Sequence, residues 1–247
     1  MRRFLLPCVA ALFLFPCNGE ATEIKVSAGA MAVSSEYRAT SARTYAMPLV
    51  SLEDEHFYIR GLGAGAYLWK SDACTLSLGV EYLPVHFKPK DSSNLAMKQL
   101  DKRYSTMLAS ASWECSGKEW GCLRLMVAAD VLGKNDGFLA DMAYSYPVNW
   151  GDMTFTPTLG VLWTSAEYND YYYGVSKGES YRSGLSSYES GYGFSPYASM
   201  RVDFALNSHW GLYAIASAMV LSNEVHDSPM VDERVKYGIG GGVSYSF

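Results

Sequence analysis

Four histidines, His56, His86, His209 and His226, are the side chains whose ordinary pKa suits proton transfer near neutral pH. None is set among the partners that hydrolysis requires. A nucleophile must meet a base, and the base an orienting carboxylate, from separate parts of the fold. Ser208-His209 and His226-Asp227-Ser228 are only adjacent in sequence, which does not make a triad. The glycine-rich "GLGAG" at 61–65 and "GIGGG" at 238–242 lack the strand-loop-helix setting of a phosphate cradle. Histidine and cysteine do not cluster at metal-ligand spacing. No catalysis, cofactor or metal is expected.

Charge offers a different chemistry. Arg60, Arg124, Arg201 and Lys236, with Glu81, Asp130, Asp141 and Asp203, fall on the small or polar parity of strand-like runs. Four cations and four anions on one face predict mutual pairing across a narrow interior rather than a wide pore. The stretch "SAEYNDYYYGVSKGESYRSGLSSYES" at 165–190 holds Tyr168, Tyr171, Tyr172, Tyr173, Tyr181 and Tyr188 among Gly and Ser. That mix suits a recognition surface; it equally suits tyrosines that anchor at an interface or fold back into a mouth. Cys115 and Cys122 bracket "SGKEWG" and could face each other across a hairpin, leaving Cys74 over; three unpaired thiols are the alternative.

The elements that position these residues are strands. In "MTFTPTLGVLW" Met153, Phe155, Leu159, Val161 and Trp163 share one parity, and Thr154, Thr156, Thr158 and Gly160 the other. "TLSLGVEY" at 75–82, "LRLMVAADV" at 123–131 and "FSPYASMRVDFAL" at 194–206 alternate in the same way. So does "GGVSYSF", where Val243, Tyr245 and Phe247 share a face and read as an assembly signal on a lipid-facing strand. The chain is 49% hydrophobic and 18% charged, whereas a soluble domain carries about 25% charge. Segments of about ten residues with one apolar face are what a membrane barrel needs. Trp69, Trp113, Trp120, Trp150, Trp163 and Trp210 sit near strand ends, as interfacial girdles do.

The fold expected is therefore all-β: a transmembrane antiparallel up-and-down barrel over residues 22–247. It has ten or twelve strands, depending on whether 46–70 forms one strand or two. Long extracellular loops are expected near 84–103, 164–190 and 223–233, and short turns on the periplasmic side. "MRRFLLPCVAALFLFPCNGEA" at 1–21 reads as a cleaved signal peptide, with Arg2 and Arg3 ahead of an uncharged run too short to span a bilayer. The formal net charge of −5 gives no footprint for nucleic acid.

"DYYYGVSKGESYRSGLSSYESGYG" at 170–193, "DSPMV" at 227–231 and the ending "GGGVSYSF", with "EHFYIRGLGAGAYLW" at 55–69 and "LDKR" at 100–103, resemble the MipA/OmpV family of outer-membrane proteins. The resemblance implies a barrel in the outer membrane of a Gram-negative bacterium, surrounded by lipid and lipopolysaccharide. It further implies a scaffold that joins a murein lytic transglycosylase to a penicillin-binding protein in peptidoglycan remodelling. It carries over no catalytic residue. A narrow porin-like channel, or an adhesin using the Tyr-rich loop, are the alternatives. Murein partners lie in the periplasm, yet strand parity sends the Tyr-rich loop outward.

Overall fold

The computed structural model describes residues 23–247; segment 1–21, expected to be a signal peptide, lies outside them. Thirteen strands run in chain order: β1 Glu23–Val33, β2 Arg43–Glu53, β3 Phe57–Arg60, β4 Gly63–Lys70, β5 Cys74–Leu83, β6 Thr106–Gly117, β7 Gly121–Asp130, β8 Phe138–Ser145, β9 Val148–Trp150, β10 Met153–Thr164, β11 Gly193–Ala205, β12 Trp210–Val220 and β13 Val235–Ser246. Each ring neighbour is antiparallel, and β13 pairs with β1 to close the sheet. β9 continues β8 past Tyr146 and Pro147 along the same partner, β10, so the wall has twelve positions. The ambiguous stretch 46–70 thus contributes more than one strand: β3 and β4 reverse at Gly61, whose φ of 59° suits a residue without a Cβ.

Alternation sorts the side chains. On β5, Leu78 is 48% exposed and its neighbour Ser77 6%. The exposed apolar face is the lipid-facing band, and closure of the ring pairs its backbone except along the upper outer edge of β2. Inside, tyrosines lie flat over glycines of adjoining strands. A Cβ on Gly65 or Gly79 would collide with the Tyr58 hydroxyl, and one on Gly160 with the Tyr197 ring. Glycine here makes room for an aromatic filler.

A disulfide joins Cys74 to Cys115, directly opposed in the β5–β6 ladder. The expected Cys115–Cys122 bridge does not form. The β6–β7 register sets Cys115 against Leu123 and Ser116 against Cys122, so the two sulfurs leave opposite faces of the sheet.

Short turns gather at one rim and long loops at the other. The long-loop rim carries α1 Ala166–Tyr173, α2 Lys177–Ser183 and α3 Asn223–His226. Their buried face packs with Tyr37, Phe87, Met97, Met230 and Val231 into an apolar cluster over the lumen mouth.

Candidate functional site

The Tyr-rich stretch is a helical plug. Ser165 caps α1 by accepting the Tyr168 amide, and Ser176 with Glu179 forms a capping box on α2. Tyr168, Tyr172 and Tyr173 are buried, while Tyr181 is 92% exposed. The Tyr172 hydroxyl donates to the Tyr104 carbonyl at 3.1 Å, and the Tyr173 hydroxyl to Glu36 at 3.1 Å. Tyr171 accepts the Tyr104 amide, and Tyr188 donates to the Glu224 carbonyl. Burial pushes the Tyr168, Tyr172 and Tyr173 phenols upward, so they stay neutral donors.

Two shielded ion pairs fasten the plug, beside an exposed one between Arg182 and Asp101. Arg103 reaches Glu179 at 2.9 Å and also donates to the Gly174 carbonyl, tying the 84–103 loop to α2. Burial works to raise the Glu179 carboxyl, but the Asp101 and Ser176 amides and Arg103 hold it below its ordinary value. Lys236 meets Glu36 at 3.0 Å. Burial again acts upward on Glu36, and Lys236 with the surrounding hydrogen bonds brings it down. His86 is wedged between Arg43, 2.9 Å from Nε2, and the Pro84 carbonyl, 3.0 Å from Nδ1. Burial, with Lys88 and Arg43 nearby, brings it down to about 4. The neutral ring therefore carries its proton on Nδ1 and accepts from Arg43.

Below the plug the lumen is charged. Asp141 accepts from Arg124 at 3.1 Å and from the Tyr197 hydroxyl at 2.9 Å. Arg60 bridges Glu53 at 2.9 Å and Glu114 at 3.5 Å, and Arg201 grips Asp203 through two bonds of 2.7 Å. Glu81 accepts from Ser110. Asp130 stands apart from this set: it takes Thr106 and the amides of Leu132, Lys134, Asn135 and Asp136, organising the turn after β7. Sequence reading missed Glu36, Glu53, Arg103, Glu114 and Glu179. Glu114 was within reach, since it shares the parity of Ser110 and Ser112 on β6.

Residues 26–247 match the family described as MltA-interacting protein MipA. The chain belongs to this family. YiaT of Escherichia coli K12 is 37% identical over 241 residues, covering 97% of this chain and 98% of its own. The MltA-interacting protein of the same strain is 38% identical over 225 residues, 91% of this chain and 90% of its own. Outer membrane protein OmpV of Vibrio cholerae is 25% identical over 158 residues, 64% and 60% of the two chains. This MipA-family chain is an outer-membrane β-barrel.

At its short-turn rim, Tyr245 packs against His209 at 5.7 Å, Trp210 at 5.0 Å and Phe247 at 4.9 Å between ring centroids. Val243 and Phe247 are exposed, as a lipid-facing strand requires. The turns there carry Asp54, Glu55, Asp72, Glu119 and Asp152 against Lys70 and Lys118.

Proposed function

We propose that this barrel is a non-catalytic interaction protein whose short-turn rim faces the periplasm and docks a murein lytic transglycosylase, holding it near a penicillin-binding protein during peptidoglycan remodelling. The observation that carries the reading is the near full-length likeness to a protein named for an interaction. Two structural features support it. Tyrosine-filled glycine notches and ion pairs occupy the lumen, which argues against a porin-like channel. The acidic short-turn rim, flanked by exposed Trp120, Trp150 and Trp210, suits a partner with a basic face. The test is crosslinking and pull-down from native envelopes. Wild-type chain should recover the transglycosylase, and Glu55→Lys with Glu119→Lys should lose it while Tyr181→Ala does not. Recovery of no murein enzyme by wild-type chain would end the scaffold reading.

A second reading rests on one observation: Leu95, Tyr181 and Tyr192 stand exposed at the long-loop rim, outside the membrane band. Exposed aromatics in that position suit an adhesin. Loss of host-cell binding in Tyr181→Ala would favour it.

A further inference from the structure

The barrel wall is incomplete on one side. β2 pairs with β1 over its whole length, Glu23↔Glu53 to Val33↔Arg43. Its other edge meets β3 only at Ser51, Leu52 and Glu53. The β3–β4 hairpin turns at Gly61 and Leu62, level with Val50 of β2 and with Tyr82 near the upper end of β5, and above that tip no strand pairs with the outer edge of β2.

The backbone shows what this costs. The Val50 carbonyl accepts the Gly61 amide at 3.0 Å, so even-numbered residues of β2 aim their polar groups at the gap. Thr44 and Ala46 thus present an amide and a carbonyl each, and Pro48 a carbonyl alone. Among the described residues, no hydrogen bond reaches these groups from that side. A proline whose missing donor faces the gap is the residue expected at an open edge. An open edge in hydrocarbon costs several kcal/mol per group and is tolerated at membrane depth only where it lines protein or water. At the level of the hairpin tip the gap spans three interstrand spacings, about 14 Å.

Behind the gap lies a small cavity of mixed character, with apolar walls from Val33 and Val85 and polar groups from Glu36, Arg43, His86 and Lys236. Its floor toward the lumen is blocked by Tyr58, laid over Gly65 and Gly79, and by the Arg60 ion pairs. Across the top of the gap the two sides are joined by the isolated Thr40–Ser92 bridge, with the Ser93 amide on the Ala39 carbonyl at 2.9 Å, and below it by side chains. Arg43 of β2 contacts His86 and, at 2.7 Å, Asp91, both in the loop that follows β5.

We propose that this gap is a lateral portal: a wet slot through which a single-chain amphiphile from the surrounding leaflet places its hydrogen-bonding head group in the cavity behind Tyr45, with Arg43 as the breakable clasp. Lipid is the occupant that the lipid-facing band already brings to the slot, and a polar head group can bond the Thr44 and Ala46 edge. A second barrel cannot: strands of two barrels related by a two-fold axis along the membrane normal cross at twice their tilt, about 80°, and form no ladder.

NMR of the protein in lipid nanodiscs tests this. The Thr44 and Ala46 amides should exchange with solvent at least tenfold faster than the amide of Tyr45, which faces β1. Equal, slow exchange at all three would mean a dry, covered edge and overturn the portal. A lysophospholipid with a nitroxide beside its head group, placed in the nanodisc, should broaden Val85 and His86 resonances. The effect should strengthen in Arg43→Ala and in Asp91→Asn, which loosens the clasp from its other side. Broadening confined to outward residues such as Leu76 and Leu78 would refute entry. Equal broadening of His86 in lipid-free detergent micelles, with the probe supplied from water, would place the entrance at the top of the barrel and refute the lateral route.

Discussion

The two closures of this barrel use opposite chemistry. At the mouth, neutral phenols do most of the sealing: Tyr168, Tyr172 and Tyr173 are buried and their hydroxyls satisfy loop groups. In the lumen the seal is ionic, Arg124 with Asp141 and Arg60 with Glu53 and Glu114. A neutral hydrogen bond contributes about 1 kcal/mol net, and losing one partner leaves a modest debt. A buried ion pair contributes little net, but breaking it strands a charge and costs about 3–5 kcal/mol. The lumen is thus built to punish single changes, and the mouth tolerates them at its tyrosine hydroxyls though not at the buried carboxylates Glu36 and Glu179.

The largest effect should come from Asp141→Ala. The Asp141 side chain is fully shielded from solvent and the Arg124 side chain is 14% exposed. Losing the carboxylate should destabilise the folded barrel by about 3–5 kcal/mol, read from urea unfolding in detergent. Replacing both partners, Arg124→Leu with Asp141→Leu, should recover most of that loss. Arg201→Ala should cost less, because the Asp203 side chain keeps 30% exposure and stays hydrated when orphaned. If the single and double variants at 124 and 141 lose equal stability, the lumen is held by packing and not by charge.

Acid should loosen the mouth before the wall. His86 sits at about 4 in the folded chain against an ordinary 6.5, so the folded state binds fewer protons than the unfolded one between those values. Stability linked to His86 is complete above pH 6.5 and is lost as pH falls toward 4, to a total of up to about 3 kcal/mol. Protonation would set a cation against Arg43 and Lys88, with Asp91 alone in compensation. Glu36 and Glu179, both lowered, add stability that is present above their ordinary pKa and lost as pH falls through their depressed folded values. Limited proteolysis within 84–103 should therefore accelerate between pH 6 and pH 4, values spanning the His86 titration, while the strands stay intact. His86→Phe should flatten the upper part of that response. Unchanged cleavage over the range would show that the clasp does not depend on the neutral ring.

Much of the barrel was legible in sequence because a two-residue period states strand and facing at once. Met153 to Trp163 and Thr75 to Tyr82 alternate as observed. Hairpin chemistry at Gly61 was harder to read, since a four-residue β3 carries too few alternations to count. The plug was less legible still. Its helices are seven and eight residues long with no clear amphipathic face, and their burial depends on groups far away in the chain, such as Glu36 and Tyr104. The capping signature Ser176-x-x-Glu179 was the available local signal. Ion-pair members were readable by parity, as at Arg124 and Asp141, but their pairing was not, because register across strands is a tertiary property. The disulfide shows the same limit: spacing suggested Cys115 with Cys122, and register chose Cys74.

A smaller effect separates the two closures from the other side. Tyr172→Phe removes a hydroxyl that donates to the Tyr104 carbonyl but leaves the buried ring in place. It should cost about 1 kcal/mol, several times less than Asp141→Ala in the same unfolding assay. A loss equal to the lumen variant would mean that the phenolic network is cooperative and that the two closures do not differ in kind.

The least disruptive pair of substitutions tests which closure faces the cell exterior. Ser186 follows α2 and is exposed at the long-loop rim, and Asn207 lies exposed in the β11–β12 turn at the opposite rim. Neither is buried, so a cysteine at each should change stability by less than about 0.5 kcal/mol. Long loops of bacterial barrels lie outside and short turns in the periplasm. Ser186→Cys should then react with an impermeant maleimide on intact cells, whereas Asn207→Cys should react only after the outer membrane is permeabilised, with the wild-type chain as blank. Reversed labelling would turn the barrel over. The tyrosine plug would then face the periplasm and become the docking surface for murein enzymes, and the acidic turns would face the medium. Labelling of both sites on intact cells would instead contradict the β11 crossing, because a strand from Gly193 to Ala205 has to put its two ends on opposite sides of the membrane.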